Sequence, residues 1–110
     1  MKIYIAGKIT GNPNYRREFA IAENIYGSHG HIILNPAALP DGLGEAADYM
    51  RICLPMLLTA DCVVLLPNWK DSGGAKIERD LAVYLGMKTL YAESDPLFVQ
   101  YWRRIANEKN

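Results

Sequence analysis

No charge of either sign is in surplus: Lys and Arg together number 12, Asp and Glu 12, and the formal net charge is zero. That balance leaves no electrostatic footprint for a nucleic-acid backbone and no basic run for a membrane surface. Long hydrophobic runs are missing as well. No apolar stretch approaches the roughly 18 residues that a membrane-spanning helix needs. The opening MKIYIAGKITG turns to glycine and polar residues too early for a secretory leader. Cysteine is scarce. Cys53 and Cys62 fall in apolar segments and lack the paired spacing of a zinc site or a redox motif. These absences predict a cytoplasmic, reduced chain without nucleic-acid partner, membrane partner or metal site. What is present is the mix of an ordinary globular protein, half hydrophobic and 22% charged. Its 110 residues make one domain, 1–110, long enough to bury a core without staples.

Along the chain, short apolar runs alternate with amphipathic ones. KIYIA (2–6) ends in glycine and reads as a buried strand. GKITGNPN follows as a loop. YRREFAIAENIYGSHG then reads as a helix, with Phe19, Ala22, Ile25 and Tyr26 on one face and a stop at Gly27 or Gly30. HIILN (31–35) is a second buried strand, ended by Pro36. Residues 36–45 hold too much Pro and Gly for regular structure, and a loop of that length invites a functional role. AADYMRICLPMLLTA reads as a helix, and Pro55, which lacks an amide donor, predicts a kink or a restart within it. DCVVLLP (61–67) is a strand, a loop and a helix follow, and KTLYA (88–92) is a fourth strand. In the closing helix Pro96 stands in the first turn, and Leu97, Phe98, Tyr101, Trp102 and Ile105 mark a docking face. That face could cover its own sheet or a second copy of the chain.

Continuous apolar strands alternating with helices predict an α/β fold of the doubly wound, flavodoxin- or Rossmann-like class. Its parallel sheet has four to five strands with helices on both faces, and a fifth short strand would lie near the long loop or the C-terminus. In such sheets ligands bind beyond the carboxyl ends of the strands, where the strand order reverses. GKITG, NPAALPDG and PNWKDSGG all fall at that edge.

The helix after the third strand carries an anomaly. On a wheel at about 100° per residue, Ala75, Ile77, Leu81, Ala82, Tyr84 and Leu85 gather on one side, with Lys76, Arg79, Asp80 and Val83 opposite. Glu78 lies within the apolar side. An unpaired carboxylate in such a place is costly, and its pKa is driven upward unless something neutralises it. Two readings stand. Glu78 could pair with a basic side chain or cap its own helix start, or it could be aimed at the crevice as a nucleophile or general base. The preceding DSGG offers Ser72 as an N-cap, with Gly73 and Gly74 leaving backbone amides open for an anion. GKITG adds a second glycine turn, in which Lys8 and Thr10 could partner an anion. Neither the Walker nor the Rossmann glycine spacing is present. Trp69 could stack on a base or seal its loop, Asn35 could cap the turn after the second strand or contact a ligand, and His29 and His31 read as structural, at the opposite edge of the sheet.

YIAG on the first strand, an Asp before the third, and S-x-G-x-x-x-E opening the next helix together resemble the nucleoside 2-deoxyribosyltransferase superfamily. The likeness runs from Lys2 to about Ala92 and is greatest to small bacterial and phage members and to the 2'-deoxynucleoside 5'-monophosphate N-glycosidases. The resemblance implies a nucleoside or nucleotide substrate and no cofactor. It implies Glu78 as the nucleophile at the anomeric carbon and Tyr4 as the hydroxyl that positions it. Gly7, Lys8, Ile9 and Thr10 match the loop that wraps the substrate, and Ser72 with Gly74 match the contacts at its phosphate or 5' end. Homo-oligomers, commonly dimers that build the pocket across the interface, are a further implication. The chain departs from the pattern at one point. The family usually places an Asp eight residues before the Asp that precedes the third strand, as an acid for the leaving base. Counting back from Asp61 gives Cys53, a weak proton donor, while Asp48 lies five residues earlier still. Cys53 could equally be a small core residue, and a binding module that keeps the fold without the chemistry is the alternative to an enzyme.

Overall fold

The computed structural model describes residues 1–43 and 46–108, with side chains as far as Arg104. Four strands, β1 (Lys2–Ala6), β2 (Ile32–Leu34), β3 (Cys62–Leu65) and β4 (Lys88–Tyr91), alternate with four helices. These are α1 (Tyr15–Gly27), α2 (Ala46–Thr59), α3 (Gly73–Tyr84) and α4 (Pro96–Glu108). All strand pairs are parallel and the order across the sheet is β2-β1-β3-β4. This is the doubly wound α/β architecture expected from the sequence, and the described residues contain no fifth strand.

The two-residue period of the strands sorts the core into two layers. Ile3, Ile5, Cys62 and Val64 face Phe19, Ala22, Ile25 and Tyr26 of α1 and Phe98 of α4. Tyr4, Ala6, Val63 and Leu65 face Cys53 and Leu57 of α2 and Ala75 and Ala82 of α3. Tyr4 pairs in register with Val63, at the middle of the sheet. The alternation therefore aims the Tyr4 hydroxyl beneath α2 and α3.

Several elements depart from the sequence reading for physical reasons. β2 is an edge strand with β1 on one side only, so Ile32 is 65% exposed and the strand is not fully buried. Pro55 does not restart α2, which runs unbroken through it. Pro55 and Arg51, the residue whose carbonyl loses its helical partner, are both on the exposed side, where water can substitute. On α3 the buried stripe is narrower than the wheel suggests and consists of Ala75, Glu78 and Ala82. Ile77, Tyr84 and Leu85, placed on the apolar side by the wheel, are exposed, because α3 meets the sheet through small side chains and leaves these outside. The closing helix docks through Phe98, fully buried and stacked on Trp102, while Leu97 and Tyr101 are partly exposed. The side chain of Ile105, and Gly44 and Glu45 of the long loop, lie outside the described residues. Within that loop Pro36–Ala38 form one turn of 3-10 helix. Asn35 caps it, its side-chain oxygen accepting from the Ala37 amide at 2.8 Å.

β2 lies on one side of β1 and β3 on the other, so the chain reverses its direction of travel across the sheet between them. The carboxyl ends of β1 and β3 flank the crevice that this reversal opens.

Candidate active site

At that crevice a cavity of about 70 Å3 is lined from five directions, one of them Pro36 after β2. Tyr4 of β1 makes its floor. Gly7, Ile9 and Thr10 come from the loop after β1, Ala46, Tyr49, Met50 and Cys53 from α2, and Ser72, Gly74, Ala75 and Glu78 from the start of α3.

Glu78 is buried, and the buried Tyr4 hydroxyl donates a hydrogen bond to its Oε2. Among the described residues no basic side chain forms an ion pair with Glu78, and its carboxylate does not cap its own helix start, where Ser72 does that work. The first of the two sequence readings is therefore not what the geometry shows. Burial pushes the Glu78 carboxyl up to about 7, and the Tyr4 hydroxyl only partly opposes that rise. A positive helix end lies one to two turns away, yet desolvation wins over it. Burial first, then the adjacent Glu78, raises the Tyr4 hydroxyl far above the ordinary phenol range, so it stays protonated and remains a donor. Near neutrality the pair is thus an oriented carboxylate that gains and loses its charge over the physiological range.

The start of α3 supplies the other polar edge. Ser72 Oγ accepts from the Ala75 amide at 3.1 Å, which fixes the helix N-terminus with its hydroxyl on the cavity wall. Gly74 is pressed by α2: a Cβ there would lie 3.2 Å from Met50 Sδ. Gly7 is needed for a similar reason, since a Cβ would stand 2.8 Å from Leu66 Cδ1 at the end of β3.

The sequence-derived site residues divide into two groups. Glu78, Tyr4, Gly7, Ile9, Thr10, Ser72, Gly74 and Cys53 come together around the cavity. Lys8, Trp69 and Asp48 do not line it. Lys8 is tied instead to the corner after β3, its backbone amide donating to Asn68 Oδ1 at 3.1 Å. Trp69 is buried against Tyr91, with ring centroids 5.8 Å apart, and lies under the guanidinium of Arg79, which seals its loop. Cys53 is both a core residue and a wall of the cavity, and burial raises its thiol, so it stays neutral near pH 7. Among the described residues Glu78 is the only acidic side chain lining the cavity. Tyr49 and Met50 escaped the sequence reading; they flank Cys53 on α2, and one turn of helix carries all three to the site. No group of three or more potential metal ligands occurs among the described residues.

Against known proteins, no curated protein matches the chain. Among solved structures, the 2-deoxyribosyltransferase of the psychrotolerant bacterium Bacillus psychrosaccharolyticus superposes with a TM-score of 0.66 at 22% sequence identity. The superposition covers 83% of this chain and 71% of that one. The chain therefore has a nucleoside 2-deoxyribosyltransferase-like fold. A family model matches residues 1–91, which include every strand and every residue around the cavity. The chain belongs to that family, DUF4406, a domain of unknown function.

Proposed function

We propose that the protein is an enzyme of N-glycosidic bonds, acting on a nucleoside or nucleotide through Glu78. The observation that carries this reading is the buried Glu78 carboxylate at the switch-point crevice, bonded to the Tyr4 hydroxyl and, among the described residues, in no ion pair with a basic side chain. A structural ion pair would supply the missing cation; a nucleophile needs its second oxygen free. Glu78 attacks the anomeric carbon of the deoxyribose, the bond to the base breaks, and its electron pair leaves with the base. The negative carboxylate stabilises the oxocarbenium-like transition state and then forms the glycosyl ester. Water completes hydrolysis to the free sugar and regenerates the carboxylate; an incoming base would instead complete transfer. Tyr4 holds the carboxylate in the attacking rotamer. Gly7, Ile9 and Thr10 enclose the sugar, Ser72 and Gly74 face its 5' end, and Lys8 and Trp69 support the two loops from behind. With Cys53 where a carboxylic acid would be expected, and Asp48 off the cavity wall, the departing base takes its proton from solvent. Bases that leave readily are therefore the better substrates.

The test is release of free base from the common 2'-deoxynucleosides and their 5'-monophosphates. Wild-type protein should release it, and Glu78→Ala should lower the rate by at least about a thousandfold, the scale of losing a covalent catalyst. No release by the wild type from any common base would end the hydrolase reading. A second reading has its own observation, the absence of a second acid around the cavity among the described residues. A binding module of this fold would be stabilised in a thermal-shift assay by a nucleotide that it leaves intact. The same proposal takes residues 1–110 as one deoxyribosyltransferase-like domain, at work in the cytoplasm, where its two free cysteines stay reduced. It acts as a homodimer.

A further inference from the structure

We propose that Glu18 is a positioning residue that holds the loop after β1 over the cavity and so sets substrate affinity; this rests on the reading of the cavity as the nucleotide site. Gly7, Ile9 and Thr10 line that cavity, yet the segment from Gly7 to Asn14 contains no helix or strand to fix it. Gly11 turns the chain there at a φ of 76°, a left-handed conformation that glycine adopts without strain. What holds the loop is a set of polar contacts centred on one carboxylate oxygen. Asn12 Nδ2 donates to the Lys8 carbonyl at 2.9 Å and to Glu18 Oε1 at 2.7 Å. Asn68 Nδ2 donates to the same Glu18 Oε1 at 3.2 Å, and Asn68 Oδ1 accepts from the Lys8 amide at 3.1 Å. Asn12 Oδ1 in turn accepts from the Asn14 amide at 3.2 Å.

Asn12 belongs to the loop after β1 and Asn68 to the corner after β3, the two banks of the switch-point crevice. Glu18, anchored in the first turn of α1, joins them. None of the three side chains lines the cavity, so they act on a ligand only through the backbone they hold. The geometry also fixes both amide orientations. Asn68 must present its oxygen to the Lys8 amide and its nitrogen to Glu18, and a carboxylate can only accept. Without Glu18, Asn12 Nδ2 and Asn68 Nδ2 lose the acceptor they share, the Lys8 amide bond alone is left to orient Asn68, and part of the loop's ordering is deferred to the moment of binding. That ordering cost appears in affinity and not in the chemical step.

Amide exchange by NMR on ligand-free protein reads the first half of the proposal, and steady-state kinetics with 2'-deoxynucleoside 5'-monophosphates reads the second. In Glu18→Ala, exchange at the Lys8 amide should rise at least about tenfold, with KM up about tenfold and kcat within about threefold of wild type. Glu18→Gln, whose amide oxygen can accept the same two bonds, should restore most of both. Unchanged exchange overturns the proposal, as does a fall in kcat at constant KM, or a Gln variant that behaves like Ala. If Glu18→Ala does not fold, Asn12→Ala cuts the same tie from the loop side and is judged by the same criteria. If the wild type releases no base at all, the enzymatic reading falls, and the exchange measurement alone decides whether Glu18 pins the loop.

Discussion

Glu78 is the residue at which folding and chemistry conflict, and the conflict can be measured. Its carboxyl titrates at the ordinary 4.5 in the unfolded chain and near 7 in the folded one, because burial penalises the charge. Between those values the folded state binds the proton more tightly. Stability from this group is therefore greatest below about pH 4.5 and falls as pH rises to about 7, a loss of the order of 3 kcal/mol. Glu78→Gln, which cannot ionise, should escape that loss. Urea unfolding at pH 5 and pH 8 should show the gap between variant and wild type widening in favour of the variant by that order. A gap that stays constant would mean that Glu78 is not held in a desolvated site. Activity should run the other way. If the carboxylate is the nucleophile, kcat/KM rises with pH along a limb with an apparent pKa near 7. A profile flat from pH 5 to pH 8 would contradict that role. The anomaly itself was legible in the sequence, since a carboxylate among Ala75, Leu81 and Ala82 stands out on any wheel. Its partner could be named only by resemblance, because nothing within strand one says that Tyr4 meets a helix 74 residues away. Glu18 was not legible at all. Its neighbours Asn12 and Asn68 come from separate loops, and a polar residue on an amphipathic helix carries no mark of what it bonds.

At the scale of elements, the crevice depends on two glycines that differ in what crowds them. Gly7 ends β1 against Leu66, itself fully buried at the end of β3, and a Cβ would lie 2.8 Å from Cδ1 and 3.0 Å from Cβ of that side chain. Leu66 is fully buried and its Cβ as well as its Cδ1 would be crowded, so Gly7→Ala should destabilise by about 1–3 kcal/mol, the cost of overpacking a core. At Gly74 the tight neighbour is Met50 Sδ, at 3.2 Å, the far part of a flexible and partly exposed chain, while Ser72 Oγ at 3.9 Å is in ordinary contact. Gly74→Ala should cost less than about 1 kcal/mol, because methionine adapts and alanine favours the helix. Thermal and urea unfolding of the two variants should separate them in that order, and equal effects would remove the packing argument. The elements themselves were readable wherever an apolar run met a glycine or proline. β1, β3 and α1 fall within a residue or two of their expected limits, and Gly86, at a φ of 72°, ends α3 as glycine does at a helix C-terminus. Edge strands were harder, because the hydrophobic run of β2 does not reveal that only one of its sides is paired.

For the whole molecule, the sheet order places the site on the face covered by α2 and α3, and the same face carries unspent hydrophobic surface. α2 and α3 pack together, and Ile52 and Leu58 on the first and Ile77, Tyr84 and Leu85 on the second are all exposed, Tyr84 to 87%. α4, whose aromatic residues could have covered either a second copy or the chain's own sheet, spends Phe98 and Trp102 on its own core. The class of fold could be read from the alternation of strands and helices. The side of α3 left uncovered could not, because a wheel ranks residues by apolarity and not by what lies opposite them. If the homodimer proposed above forms through α2 and α3, it buries these side chains. Light scattering should then give a particle of twice the 12.3 kDa chain mass at micromolar concentration. Ile77→Glu combined with Tyr84→Glu should return it to the monomer with its unfolding transition otherwise cooperative, since neither side chain contributes to the chain's own core. A wild-type particle of 12.3 kDa would exclude the dimer; a double variant that stays dimeric would move the interface off α3.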